Sequence, residues 1–199
     1  LYKWVKAGID YNKVQRVINS MVIGIALIWS GIGIFSFMVP WFLPAEYQAI
    51  EYLIVACASM PLFYLLSETT GVGIGITRRS KYAMLASVSA FLVNAILNYL
   101  LIPNYGAAGA ALATVIAFFV FFVCKTEASS RLWYSLPRVK IYVVTLSYII
   151  ATSIMVLTKA TIANYYIVWI ALFSATCFLH VTTVKQALNA LKQFLNSRK

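Results

Sequence analysis

Carboxylates are nearly missing from this chain: its 199 residues carry only Asp10, Glu46, Glu51, Glu68 and Glu127. None is placed in reach of another, which excludes catalysis by a carboxylate pair. The single histidine, His180, builds neither a bis-histidine haem site nor a metal triad by itself, and reads as a satisfied interfacial side chain. No Ser/His/Asp combination and no acid-rich prenyl-diphosphate motif is present, so the sequence offers no catalytic machinery and predicts a protein that is not an enzyme. The three cysteines, Cys57, Cys124 and Cys177, are odd in number and lack C-x-x-C spacing. That excludes a disulfide framework and a zinc site, and leaves them as buried bystander thiols. The glycines of Gly71-Val72-Gly73-Ile74-Gly75 do not have the G-x-G-x-x-G spacing and do not follow a strand, so no nucleotide loop is read from them. No metal and no cofactor is expected.

Charge of either sign is also scarce, at 11% of residues against about 25% in soluble domains. Apolar residues fill the gap: 62% of the chain is hydrophobic and 15% aromatic. A soluble enzyme is excluded by that composition, as is a disordered tail. Charge-free runs occupy 17–45, 52–67, 82–124, 141–158 and 160–184, and a spanning helix needs about 20 largely apolar residues. The pattern predicts an all-α integral membrane protein with six transmembrane helices, because lipid offers the backbone no hydrogen-bond partner. The first runs from Val17 to Val39 and stops at Pro40; the second covers about Tyr52 to Ile74; the third, Tyr82 to Ile102, stops at Pro103. The fourth spans about Ala107 to Cys124, the fifth Ile141 to Thr158 and the sixth Tyr165 to Val184. Pro103-Asn104-Tyr105-Gly106 is the turn that cuts the longest run.

The net charge of +11 does not point to nucleic acid, since the bases sit between hydrophobic segments and form no continuous patch. With these six crossings, fifteen of the sixteen Lys and Arg fall on one side, leaving Lys159 alone on the other. Lys3, Lys6, Lys13 and Arg16 precede the first crossing, Arg78, Arg79 and Lys81 lie between the second and third, and Lys125, Arg131, Arg138 and Lys140 lie between the fourth and fifth. The positive-inside rule then places both termini of the segment in the cytoplasm. Beyond the last crossing, Leu188, Leu191, Phe194 and Leu195 recur at helical spacing among basic residues, which suits an amphipathic helix lying on the inner surface or a solvated extension of the sixth helix. The basic start before an apolar run superficially resembles a signal peptide, but the run is too long for one. With Leu1 at its head, the chain reads as a piece of a longer protein.

Two features stand out against the hydrocarbon. Ala83, Ser87, Ala90, Asn94 and Asn98 fall on one stripe of the third helix, which wants protein or water opposite it: a helix-packing surface or the lining of a cavity. Gly106, Ala110 and Thr114, with Gly109 and Ala113 beside them, give the fourth helix a small surface for close packing. Glu68 lies in the inner third of the second span, where a charged side chain costs roughly 2.5 to 3.5 kcal/mol on insertion scales. It reads as a proton or cation site, as the partner of a base elsewhere, as a residue at a watery mouth, or as a neutral acid. Pro61 and the alternating Gly71, Gly73 and Gly75 predict that this helix bends or unwinds locally.

The run from Asn94 through Asn98, Leu101-Ile102-Pro103, Tyr105-Gly106, Gly109 and Thr114 resembles a signature of polysaccharide flippases. These are the O-antigen and exopolysaccharide exporters of the multidrug/oligosaccharidyl-lipid/polysaccharide superfamily, and the resemblance is specific over about residues 71–115. It implies the carboxy-terminal part of a fourteen-helix, two-lobed transporter in a bacterial inner (plasma) membrane. Residues 1–124 would supply second-lobe helices, and 125–199 a terminal helix pair with a basic cytoplasmic tail. The implied activity is alternating-access movement of an undecaprenyl-diphosphate-linked oligosaccharide between leaflets. The implied partners are that lipid-linked sugar, membrane lipids, the missing amino-terminal lobe and polysaccharide-assembly enzymes. Such a task needs a hydrated cavity opened to each side in turn. On this reading Ser87, Asn94 and Asn98 face the cavity, Glu68 acts in ion coupling or gating, and Arg78, Arg79 or Lys81 attracts the diphosphate at the inner mouth; the bland alternative for the three bases is topology alone. A multidrug or cation exporter of the same superfamily, or a non-transporting scaffold for polysaccharide assembly, are the other readings.

Overall fold

The computed structural model describes residues 11–159, 165–186 and 189, and every described element is helical. Helix α1 (Tyr11–Phe35) continues through a 3-10 turn at Ser36–Met38 into the short α2 (Val39–Phe42). A second 3-10 turn, Ala45–Tyr47, leads to α3 (Ile50–Thr70), which Gly71 separates from the one-turn α4 (Val72–Ile76). Then come α5 (Lys81–Tyr105), α6 (Ala107–Leu132), α7 (Val139–Thr158) and α8 (Tyr165–Leu179). Among the described residues five stretches are long and apolar enough to cross a membrane: Asn12–Phe42, Ile50–Thr70, Lys81–Tyr105, Ala107–Leu132 and Val139–Thr158. The chain is therefore built as a multi-pass membrane protein.

Several expected boundaries shift. Pro40 does not end the first segment; it sits in the first turn of α2, where a missing N–H costs nothing. Pro103 likewise lies inside α5, which runs on to Tyr105. The turn is made by Gly106 alone, at φ +55° and ψ −130°, a conformation closed to residues with a Cβ. Three residues on, a Cβ on Gly109 would stand 2.5 Å from the Leu101 carbonyl oxygen and 2.6 Å from its carbon, so α6 presses directly on the α5 backbone. The fourth segment does not end at Cys124: α6 continues to Leu132 and takes Lys125 with it. Of the sixth expected span, α8 accounts for 15 residues; a turn at His180 follows and helix resumes at 181–186. The proposed amphipathic tail of Leu188, Leu191, Phe194 and Leu195 lies outside the described residues.

Helices α1, α3, α6, α7 and α8 share one aromatic core. Trp29 meets Phe63 edge-on at 5.3 Å and Tyr148 at 5.4 Å, Tyr148 meets Trp169 at 6.0 Å, and Phe63 stacks on Phe122 at 5.9 Å. The Tyr148 hydroxyl is satisfied inside this core by Ser30 Oγ at 2.7 Å and by the Ala26 carbonyl, to which it donates at 3.2 Å. Buried threonines return their protons to their own helix, as Thr70 does to Leu66 and Thr145 to Ile141, which keeps the hydroxyls bonded in an apolar medium. Helix α5 differs from all of these. It packs along α6, and Ala86 is its only buried residue. The cysteines correct another expectation, since Cys57 is exposed on the flank of the bundle and Cys124 and Cys177 are partly so.

Candidate functional site

The site forms where the ends of α3 and α6 meet beneath α4. Two glycines make the approach possible. A Cβ on Gly71 would come within 3.1 Å of Lys125 Cε, and one on Gly73 within 2.7 Å of Ser129 Oγ. With those atoms absent, a ladder of polar contacts closes between the helices. Lys125 Nζ donates to Glu68 Oε1 at 2.5 Å, Thr70 Oγ1 and Thr126 Oγ1 are 2.6 Å apart, and the Gly73 N–H donates to Ser129 Oγ at 3.0 Å. Beside it, Glu127 accepts from the Tyr142 hydroxyl at 2.8 Å and pairs with Arg138 Nε at 2.5 Å, while Arg138 Nη1 donates to Ser130 Oγ at 2.7 Å. These contacts bring the basic connection of Arg78, Arg79 and Lys81 and that of Arg131, Arg138 and Lys140 to the same end of the bundle. Lys125, expected in the same connection, lies instead inside α6.

The Glu68–Lys125 pair is lopsided. The Lys125 side chain is 8% exposed, whereas that of Glu68 is 52% exposed and turns toward a cavity of about 520 Å³ also lined by Arg78, Ser80 and Ala83. On its other side the Lys125 ammonium lies over the faces of two parallel rings, 5.9 Å from the Tyr64 centroid and 5.1 Å from that of Phe121. Of the four readings left open for Glu68, the geometry selects the partner of a base, and the same cavity gives it the watery mouth.

Past the two rings, along α5, lies a second cleft of about 490 Å³ lined by Ser87, Asn94 and Thr114 among apolar and aromatic side chains. Tyr64 and Phe121 belong to its wall, so Lys125 and its rings stand between the two spaces. Here the expected stripe is met in part. Ser87 and Asn94 line the cleft, although Ser87 Oγ also donates to the Ala83 carbonyl at 3.1 Å. Asn98 donates to Asn94 Oδ1 at 2.8 Å and keeps its own Oδ1 buried without a partner. Arg78 reaches the first cavity; Arg79 and Lys81 are exposed and do not line it, and the Lys81 ammonium lies over the Tyr82 ring at 5.4 Å. His180 is only half satisfied, with Nδ1 3.1 Å from the Thr176 carbonyl and Nε2 buried without a partner.

Lys125, Thr126 and Ser129 are the residues sequence reasoning missed, having taken the stretch after Cys124 as a connection. The signal was present. Phe121/Phe122, Lys125/Thr126 and Ser129/Ser130 recur every four residues, one helix face carried straight on. Among the described residues no cluster of His, Cys, Asp or Glu could hold a metal. Comparison with protein-family models, with curated proteins and with solved structures gives no match.

Proposed function

We propose that this chain is part of a transporter that moves a lipid-linked oligosaccharide across a bacterial inner membrane, with the basic end of the bundle in the cytoplasm and the amino-terminal lobe completing the path. The observation that carries the reading is the Lys125–Glu68 pair, its lysine buried and its carboxylate half open, standing between two open, partly polar spaces within an otherwise apolar bundle. Charge held at that depth is expensive, and a protein that only spans the bilayer has no use for it. Alternating access needs such a feature, a polar element that can be exposed to one side and then the other. The flippase-like run from Asn94 to Thr114 supplies the wall of the outer cleft and the α5–α6 turn above it, which supports the same reading.

In this reading Ser87 and Asn94 offer hydrogen bonds to a sugar, Asn98 positions Asn94, and Glu68 with Lys125 forms the gate. Arg78 faces the inner cavity and meets the diphosphate, with Arg79 and Lys81 raising the local cation density at the mouth. The test is export of surface glycan in cells that depend on the full-length protein. Replacing Arg78 and Arg79 by Gln depresses export at equal protein level, and Glu68→Gln abolishes it. Normal export in both variants removes the basic mouth and the gate from the mechanism. Movement of small organic cations with indifference to lipid-linked sugar would instead make the protein a cation exporter. Unchanged leaflet distribution of the glycan after deletion would make it a scaffold.

A further inference from the structure

The surroundings of the Lys125 ammonium are those of a binding site for a small organic cation. A carboxylate oxygen lies 2.5 Å away on one side, and the faces of Tyr64 and Phe121 lie within 6 Å on the other. The two rings are parallel to within 4° at a centroid distance of 6.2 Å. Aromatic faces attract cations through their quadrupoles, most strongly where water is excluded. A charge-assisted hydrogen bond to a carboxylate fixes the remaining direction. The Lys125 side chain that enters this pocket is 8% exposed, while the carboxylate that receives it is half open to the cavity. Gly71 eases the entry, because a Cβ there would come within 3.1 Å of Lys125 Cε.

We propose that Glu68, Tyr64 and Phe121 form a site for a monovalent, ammonium-type cation, and that Lys125 is its covalently tethered occupant. The arrangement goes beyond the transport reading and does not depend on the cargo. It assigns the charge that neutralises Glu68 to the chain itself, so no free Na+ or K+ is called for at this point of the structure. Should the lysine swing out, its place is taken by a soluble cation of similar shape.

The test removes the occupant and returns its head group as a free ion. The full protein carrying Lys125→Ala is purified in detergent and its thermal unfolding followed in methylammonium chloride and in sodium chloride at equal ionic strength. Methylammonium raises its Tm saturably, by about 3 °C at roughly tenfold excess over its Kd, and leaves the unsubstituted protein unmoved. The rise disappears when Glu68→Gln or Tyr64→Leu is added to Lys125→Ala. Equal Tm values in the two salts, or a rise that survives Glu68→Gln, overturns the proposal. A second measurement needs no substitution of the lysine. In the unsubstituted protein Lys125, whose side chain is 8% exposed, is acylated by an amine-reactive probe more slowly than the exposed Lys81, and Glu68→Gln, which releases the ammonium from its partner, narrows that difference. Equal labelling of the two lysines in the unsubstituted protein also overturns it. Normal glycan export after replacement of Arg78 and Arg79 and in Glu68→Gln, together with a methylammonium-responsive Lys125→Ala, would sink the transport reading and leave this site standing.

Discussion

Unequal burial of the two partners in the Glu68–Lys125 pair makes the two single substitutions unequal in cost. Glu68→Leu strands an ammonium whose side chain is 8% exposed. Removing one partner of a buried pair costs about 3 to 5 kcal/mol, and the Tyr64 and Phe121 faces return about 0.5 to 1 kcal/mol each. The net loss is about 2 to 3 kcal/mol. Lys125→Met leaves a carboxylate that is 52% exposed and solvated by the cavity, so its loss stays near that of a surface pair, about 1 kcal/mol. For a chain of this length those losses lower Tm by about 6 to 9 °C and about 3 °C. The double variant holds no unpaired charge and returns close to the starting stability, as hydrophobic replacements of buried pairs do. Thermal unfolding of the four proteins in one detergent reads all three values. A Lys125→Met variant as unstable as Glu68→Leu, or a double variant whose loss equals the sum of the singles, would refute the argument.

Three further outcomes follow from the packing. Gly109→Val drives a side chain into the Leu101 backbone, which no rotamer can relieve; a loss of about 1 to 3 kcal/mol and faster proteolysis within α5 are expected, and an unchanged digestion pattern would count against the close approach. Thr70 already donates to the Leu66 carbonyl, so Thr126 is the donor in their mutual bond. Thr70→Val therefore orphans Thr126 and costs about 1 to 3 kcal/mol, whereas Thr126→Val leaves Thr70 bonded and costs less than about 1 kcal/mol; calorimetry giving the reverse order would contradict that assignment. Single cysteines placed at Arg79 and Lys140, in a background without Cys57, Cys124 and Cys177, should react with an impermeant reagent from the same side of the membrane, and opposite accessibility would undo the topology.

The membrane-helix character was legible because it rests on composition and run length, which packing does not alter. Residues 141–158 were placed within two residues of α7 for that reason. Charge and proline are poor markers of the helix boundaries in this chain. Pro40 sits in the first turn of its helix, where the missing N–H has no partner to lose, whereas Pro103 lies in the last turn of α5, which runs only two residues beyond it. Lys125 marked the edge of a hydrophobic run and was read as a loop residue, although its burial depends on Glu68, 57 positions away. Long-range pairing of this kind leaves no trace in local hydropathy. The small stripe of α5 was visible as a pattern, yet only the structure separates Ser87 and Asn94, which line a cleft, from Asn98, which braces Asn94.

Among the described helices α5 packs chiefly along α6, and Ala86 is its one buried residue. A panel hung along one seam can pivot or slide while the Trp29–Tyr148 cluster stays as it is, because none of the core rings belongs to it. Gly106 at one edge and the Arg78 bend at the other are the fixed corners of that panel. Any motion that widens or narrows the cleft between Ser87 and Thr114 therefore works chiefly on the seam of α5 with α6, and leaves the rings of the core where they are.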